Sequence, residues 1–292
     1  LPAKRPVGPL LMPSMDKIKS DPQLLTNWKD KYAGPYIISA KADGVSALYT
    51  TENNTPRLLT RGNGVEGQDV SHIIPYLNLP QAIVRDDGTL TPLTVRGELI
   101  MQESVFKDKY HDKFANPRNL VAGIVNMQTQ NPERYRDIDF LIYEVICPVN
   151  ATPQAQLSAA LDTVCAAESQ HTMIRHDVIA DYADLTMENL SEKLQNWRST
   201  YGYEIDGLIV ADNRIYERTL NNPKHAFAFK MILTDQIAES TVLDVIWNPS
   251  KDGYLKPKII IVPVHIGGVE ISCATAFNGA YVRKHRLGVG AV

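Results

Sequence analysis

Lys41-Ala42-Asp43-Gly44 sets an amine, a carboxylate and a glycine side by side at the end of a hydrophobic run. Tyr36-Ile37-Ile38 before it and Val45 to Tyr49 after it read as short β segments, with Gly44 supplying the break between them. If the extended geometry continues through Lys41, then Lys41 and Asp43 project to one side, because strand side chains alternate. An amine placed there is a candidate covalent nucleophile. To attack phosphorus it must shed a proton, and a free lysine with a pKa of about 10.4 holds the neutral form at pH 7 only at a penalty of roughly 4 to 5 kcal/mol. Burial, or nearby cations such as Arg61, Lys230 or a bound metal, lowers that penalty, whereas Asp43 alone raises it. The conflict eases if Asp43 faces a metal or its water shell instead of the amine.

Other segments carry groups suited to the same chemistry. Arg61 sits in Arg61-Gly62-Asn63-Gly64, whose glycines let backbone approach a ligand closely. Glu98 is a carboxylate in the otherwise apolar run Leu93 to Leu99, and Arg96 shares its face. Arg118, within Asn116-Pro117-Arg118-Asn119, stands at a helix N-terminus, where amide groups and a cation together hold a phosphate. His225 to Met231 alternates small and aromatic residues, so Phe227 and Phe229 fill one face while Lys230 points the opposite way, toward an active site.

These residues need a scaffold. Leu1 to Pro13 reads as an extended arm, and Asp21-Pro22 as an N-cap with proline at the first helical position, followed by Leu24, Leu25, Trp28 and Tyr32 at helical spacing. A β-rich core runs from Tyr36 to about Leu99. Helices are predicted at Glu103 to Tyr110, Arg118 to Met127, Gln154 to Ala167 and Met187 to Trp197, with buried strands at Ile138 to Ile146 and Ile205 to Val210. Beyond a boundary near Glu239 a second β-rich unit begins at Thr241 and includes strands at Lys258 to Val264 and Val269 to Ile271.

A chain of 292 residues with 44% hydrophobic content can bury at least one substantial core, and its length suggests a large domain plus a smaller one. No stretch approaches the roughly 20 apolar residues of a membrane helix, and Leu1 to Pro9 lacks the apolar segment of a signal peptide. This points to a soluble, cytoplasmic or nucleoid-associated protein that is not secreted. Cys147, Cys165 and Cys273 are odd in number and far apart, against a disulfide framework or a C-x-x-C zinc site. The formal net charge of −3 is unusual for a DNA-gripping protein, since nucleic-acid affinity is largely counterion release by Lys and Arg. Either the basic groups are local, as in Arg283-Lys284-His285-Arg286 or Lys251, Lys256 and Lys258, or the grip lies elsewhere.

In chain order, Lys41-Ala42-Asp43-Gly44, Arg61-Gly62-Asn63-Gly64, Val95-Arg96-Gly97-Glu98, Asn116-Pro117-Arg118-Asn119, Glu204-Ile205-Asp206-Gly207 and Ala226-Phe227-Ala228-Phe229-Lys230 resemble the nucleotidyltransferase motifs of NAD-dependent, bacterial-type DNA ligases. The resemblance extends from about Leu10 to the last residue. It implies an α+β fold: a nucleotidyltransferase, ATP-grasp-like ligase domain over residues 1–239, with antiparallel sheets and flanking helices, then part of an oligonucleotide-binding β-barrel over 240–292. Such a barrel has five strands, and Arg286 to Val292 is read as an interrupted final segment. The family's roles, carried over to matching positions, make Lys41, Asp43 and Lys230 catalytic. Ser14, Met15, Lys41, Arg61, Glu98, Arg118 and Lys230 would then bind the nucleotide. Glu98 and Asp206 would serve the metal, Mg²⁺. The implied activity is nick sealing through a lysyl-AMP intermediate, with AMP from NAD, nicked double-stranded DNA as partner and a monomeric enzyme.

Several positions depart from the family pattern. Ser39 stands where Glu is usual near the adenine, Asn63 for Asp, Gln68 for Glu, Asn126 for Arg, and Ala211 where the family directs a Lys at the nucleotide. They leave open an ATP-dependent ligase or other lysine nucleotidyltransferase, and a catalytically silent nucleic-acid-binding relative. The family's segment for the nicotinamide mononucleotide half and its later zinc-finger, helix-hairpin-helix and BRCT modules are not recognised in this sequence. That implies a fragment, or a minimal ligase of a reduced genome such as a virus or phage.

Overall fold

The computed structural model describes residues 4–6, 12–19, 21–52, 55–79, 83–84, 90–127, 131–147, 151–163, 173–219, 221–231, 238–251, 253–266 and 269–292. It divides into two compact units, Leu1–Met231 and Ile232–Val292.

Two sheets organise the first unit. One has the strand order His176–Ile179, Tyr36–Ala42, Ile205–Asp212, Ala226–Phe229, Lys17–Ile18, antiparallel except for the last pair. The other, antiparallel throughout, runs Asp139–Cys147, Thr94–Ile100, Val45–Thr50, Arg57–Thr60. The chain leaves the first sheet at Ala42 and enters the second at Val45, so Asp43 and Gly44 are the crossing point. Backbone bonds fix that crossing on one side, where Asp43 N donates to Glu204 O at 2.9 Å. On the other side Gly44 N donates to Glu98 Oε1 at 3.2 Å.

Alternation along the strands separates core from cleft. Tyr36, Ile38, Leu208, Val210, Phe227 and Phe229 are buried on one face of the first sheet, where Trp28 packs edge-on to Phe227 at 4.8 Å between ring centroids. Lys41 and Lys230 fall on the opposite face, as the alternation required. The helix Pro22–Lys29 that brings Trp28 to this core has Asp21 as its N-cap and Pro22 at its start. Tyr32 lies beyond the helix end, because the chain turns at Asp30.

Other elements lie close to their expected ranges. Helices span Glu103–Lys109, Pro117–Val125, Pro153–Thr163 and Met187–Thr200. The expected continuation of the third of these through 164–167 lies outside the described residues. Of the N-terminal arm, Lys4–Pro6 pairs with Glu66–Gln68, and 7–11 lie outside the described residues. Cys273 is a free thiol, while Cys165 lies outside the described residues. Among the described residues no helix is long and apolar enough to cross a membrane.

The second unit is a three-stranded antiparallel sheet, Val242–Pro249, Leu255–Ile266 and Val269–Thr275, followed by the short helix Gly279–Lys284 capped by Asn278. The final segment, Arg286 to Val292, is irregular. Arg286 takes φ 51° and Gly290 φ 86°, in the left-handed region, which an extended strand cannot accommodate. The tail instead docks by single bonds, Val242 N to Ala291 O and Gly290 N to Val242 O, both 2.8 Å.

Gly44 is constrained by close approach. A Cβ there would lie 2.2 Å from Leu99 O, a backbone atom that cannot swing aside, whereas one on the exposed helical Gly123 would meet nothing within 4 Å. Gly44→Ala is expected to destabilise the protein by about 1–3 kcal/mol in denaturant melts. Gly123→Ala should stabilise it by roughly 0.5–1 kcal/mol.

Candidate active site

A cleft of about 1390 Å³ opens between the two sheets of the first unit. Ser14, Met15, Lys41, Arg61, Glu98, Arg118, Asp206 and Lys230 all line it, so the structure gathers residues scattered over more than two hundred positions of sequence. Asp43 stands at its edge, reached through Arg118.

Asp206 is the hub. Lys41 Nζ lies 2.9 Å from its Oδ1, and Lys230 Nζ hydrogen-bonds its Oδ2. The convergence follows from register. Gly207 pairs with Lys41 across the two central strands, while Lys230 directly follows the neighbouring strand Ala226–Phe229. Gly207 itself leaves the space: a Cβ there would meet Phe229 O at 2.3 Å and Lys230 Cγ at 3.2 Å. Burial works against charge on Asp206, but Lys41 and Lys230 outweigh it and hold the carboxyl below its ordinary range. Lys41, Lys230 and Asp206 keep side-chain exposures of 28%, 29% and 23%, enough for a ligand to reach them.

Glu98 behaves differently. It lies on Thr94–Ile100, an interior strand of its sheet, and keeps some contact with the cleft while protein surrounds its carboxyl. Burial pushes its pKa from 4.5 up to about 7, against the opposing pull of Lys41, the Gly44 amide and Arg118. The strand ends at Ala42, and the Asp43 carboxylate pairs with Arg118. Asn116 caps the helix by accepting from Asn119 N at 2.8 Å, and Pro117 starts it, so Arg118 projects from the first turn toward the crossing point.

The glycine loop closes on itself. Gly62 has φ 53° and Gly64 φ 94°, and Asn63 Oδ1 accepts from Val65 N at 2.9 Å and Glu66 N at 2.7 Å. The side-chain oxygen does this work, so the Asn in place of Asp keeps the turn. Among the described residues Arg61 Nε is a buried donor with no hydrogen-bond partner, which suits an incoming acceptor. Of the remaining departures, Asn126 bonds back to Ala122 O at 2.7 Å, Gln68 and Ser39 line the cleft, and Ala211 is buried in the cleft floor.

The sequence reading missed Glu144 and Arg218, which pair at 3.0 Å within the cleft, and it gave Arg96 no role beyond a shared face. Glu144 carries the same signal that marked Glu98, a carboxylate in an apolar strand. Among the described residues no group of three or more His, Cys, Asp or Glu side chains is clustered to hold a metal.

The chain matches the family described as NAD-dependent DNA ligase adenylation domain over residues 14–233. It is 36% identical over 287 residues to a DNA ligase of Acanthamoeba polyphaga mimivirus, covering 97% of this chain and 43% of the relative. A DNA ligase of Ruminiclostridium cellulolyticum is 30% identical over 307 residues, covering 99% of this chain and 44% of that protein. The chain thus spans less than half the length of these relatives. The solved structure designated Pmar-Lig_Pre shares the fold, with a TM-score of 0.56 at 18% identity over 94% of this chain and 60% of that one.

The raised Glu98 pKa has a signed consequence. The folded state binds this proton more tightly than the unfolded chain, so stability falls as pH rises from about 4.5 to 7 and levels off above. Relative to Glu98→Gln, the wild type should lose up to about 3 kcal/mol across that window, read from denaturant midpoints at successive pH values.

Proposed function

The chain belongs to the family of NAD-dependent DNA ligase adenylation domains, and on that premise we propose that it forms a covalent lysyl-AMP on Lys41 with AMP drawn from NAD, as the first step of nick sealing. The observation that carries this reading is Lys41 and Lys230 converging on one carboxylate at the floor of a nucleotide-sized cleft.

In this reading Asp206 aims the Lys41 amine, and Lys230 stands ready to exchange its carboxylate partner for the α-phosphate. The Lys41 Nζ–P bond forms as the P–O bond to nicotinamide mononucleotide breaks. The Lys41 ammonium first gives one proton to solvent to free its lone pair, the second proton follows as the N–P bond forms, and the mononucleotide leaves with the bonding pair. Lys230, Arg61 and Arg118 meet the charge that builds on the phosphoryl oxygens. Arg61 with its unpartnered Nε is the donor best prepared for this. Ser14 and Met15 border the nucleoside, and Asp43 keeps Arg118 in place.

A Mg²⁺ ion fits this donor set, because Mg²⁺ is usually held by one or two carboxylates together with substrate phosphates and water. Glu98 would hold it, with Asp206 joining once an ammonium turns to phosphate; when bound, the ion neutralises phosphoryl oxygens. Removal of divalent ions with a chelator should therefore slow adenylation.

AMP would pass from Lys41 to a 5′-phosphate at a nick in duplex DNA, and the 3′-hydroxyl would displace it. The division of labour runs through residue 239: adenylation before it, DNA contact from 240 on, in part of an oligonucleotide-binding fold. Exposed Trp247, Tyr254 and Phe277, with Arg283, Lys284 and Arg286 in the same unit, supply ring faces and cations for that contact. The protein works as a monomer in this scheme.

Intact mass before and after NAD tests the proposal. The wild type should gain one AMP and lose it to nicotinamide mononucleotide, with no gain from ATP. Lys41→Ala should never gain it, and Lys230→Ala should adenylate more slowly by on the order of 100-fold. A wild type inert to NAD, or an adduct that survives in Lys41→Ala, would overturn the assignment.

A further inference from the structure

Away from Lys41, the cleft is bridged by a pair of charges from opposite walls. Glu144 lies on Asp139–Cys147 of the second sheet, and Arg218 on the irregular stretch joining two strands of the first. Arg218 Nε donates to Glu144 Oε1 at 3.0 Å, while Glu144 Oε2 accepts from Arg96 at 2.9 Å. Arg96 is buried and already balances one carboxylate charge, so that balance does not need a second guanidinium. Glu144 and Arg218 each keep 28% exposure.

The part of the floor formed by Ile37, Ser39, Ile209 and Ala211 carries no charge. Ile37 pairs with Ala211 and Ser39 with Ile209, giving an apolar shelf with a single hydroxyl. A nucleobase on this shelf would find a surface for its face and almost nothing for its polar edge. Leaving that edge unpaired in a closed cleft is costly. Glu144 and Arg218 supply what the shelf lacks. An ionised carboxylate offers about four lone-pair sites, of which Arg96 and Arg218 take two, and a guanidinium carries five N–H donors in a planar fork, more than the one that Glu144 accepts from. An acceptor beside a donor is the complement of adenine, whose exocyclic amino group donates next to a ring nitrogen that accepts. Hypoxanthine reverses both groups, with a carbonyl beside an N–H.

We propose that Glu144 and Arg218 are the specificity-determining pair for the nucleobase in this cleft, Glu144 accepting from the exocyclic amino group of adenine and Arg218 donating to the adjacent ring nitrogen. The inference rests on the nucleotide-binding reading given above, but not on the transfer chemistry.

The test is equilibrium binding of AMP and IMP by calorimetry to protein first freed of AMP with nicotinamide mononucleotide. The wild type should prefer AMP by on the order of 100-fold, the discrimination expected of a site built to pair a polar edge. Arg218→Ala, which leaves Glu144 paired with Arg96, and Glu144→Gln, which keeps the side-chain shape, should each bring the ratio below about tenfold. Adenylation by NAD and by nicotinamide hypoxanthine dinucleotide should follow the same order. A merely structural role would weaken both nucleotides equally and leave the ratio intact. A wild-type ratio in either folded variant, or no preference in the wild type, overturns the pair. Lysyl-AMP formation without base preference would sink this inference alone, and base preference without lysyl-AMP would sink the transfer chemistry alone.

Discussion

One carboxylate between two ammonium groups sets the geometry on which the rest depends. Asp206 is partly buried, and an unpaired buried carboxylate would be costly. Lys41 and Lys230 meet that cost, and in doing so they are brought within reach of one another, where two like charges would otherwise keep apart. The two ammonium groups outnumber the one carboxylate, so the arrangement carries surplus positive charge and accepts an anion. A phosphate is a second carboxylate-like partner, so one ammonium can turn to it while the other remains held. Coupling of this sort is strongly non-additive, and removing Asp206 would disturb both lysines together.

The fold supplies this hub through a topological crossing. The chain passes between two sheets at Asp43-Gly44, and each sheet contributes one bond to the crossing: the Glu204 carbonyl from the first, the Glu98 carboxylate from the second. Gly44 is required because Leu99 O lies where a side chain would begin. The nucleophile is therefore carried on a strand whose end cannot drift. Arg118, projecting from a capped helix, pairs with Asp43 and pins the same point from a third direction. Rigid backbone with mobile ammonium tips is the combination that positions an attacking amine.

Much of this was legible in the residues. The alternation in Ala226 to Lys230 placed the two phenylalanines in the core and Lys230 in the cleft, and Asn116-Pro117 announced the helix start. The pairing of charges was not legible, because Lys41, Asp206 and Lys230 meet only through strand register. Spacing put Asp43 on the side of Lys41 only if the extended geometry ran on; the strand stops at Ala42, and the Asp43 carboxylate pairs with Arg118. Glu144 escaped although it carries the signal that marked Glu98, because its partners Arg96 and Arg218 are 48 and 74 positions away and meet it only through the fold. The left-handed turn at Arg286 was not legible, because such a φ at an arginine leaves no mark in composition.

The most direct test of the shared carboxylate is a crystal structure of the protein after reaction with NAD. The account requires continuous density from Lys41 Nζ to phosphorus, with Lys230 turned from Asp206 to a phosphoryl oxygen. A Lys41 still seated on Asp206, with AMP bonded elsewhere or merely resting in the cleft, would contradict it.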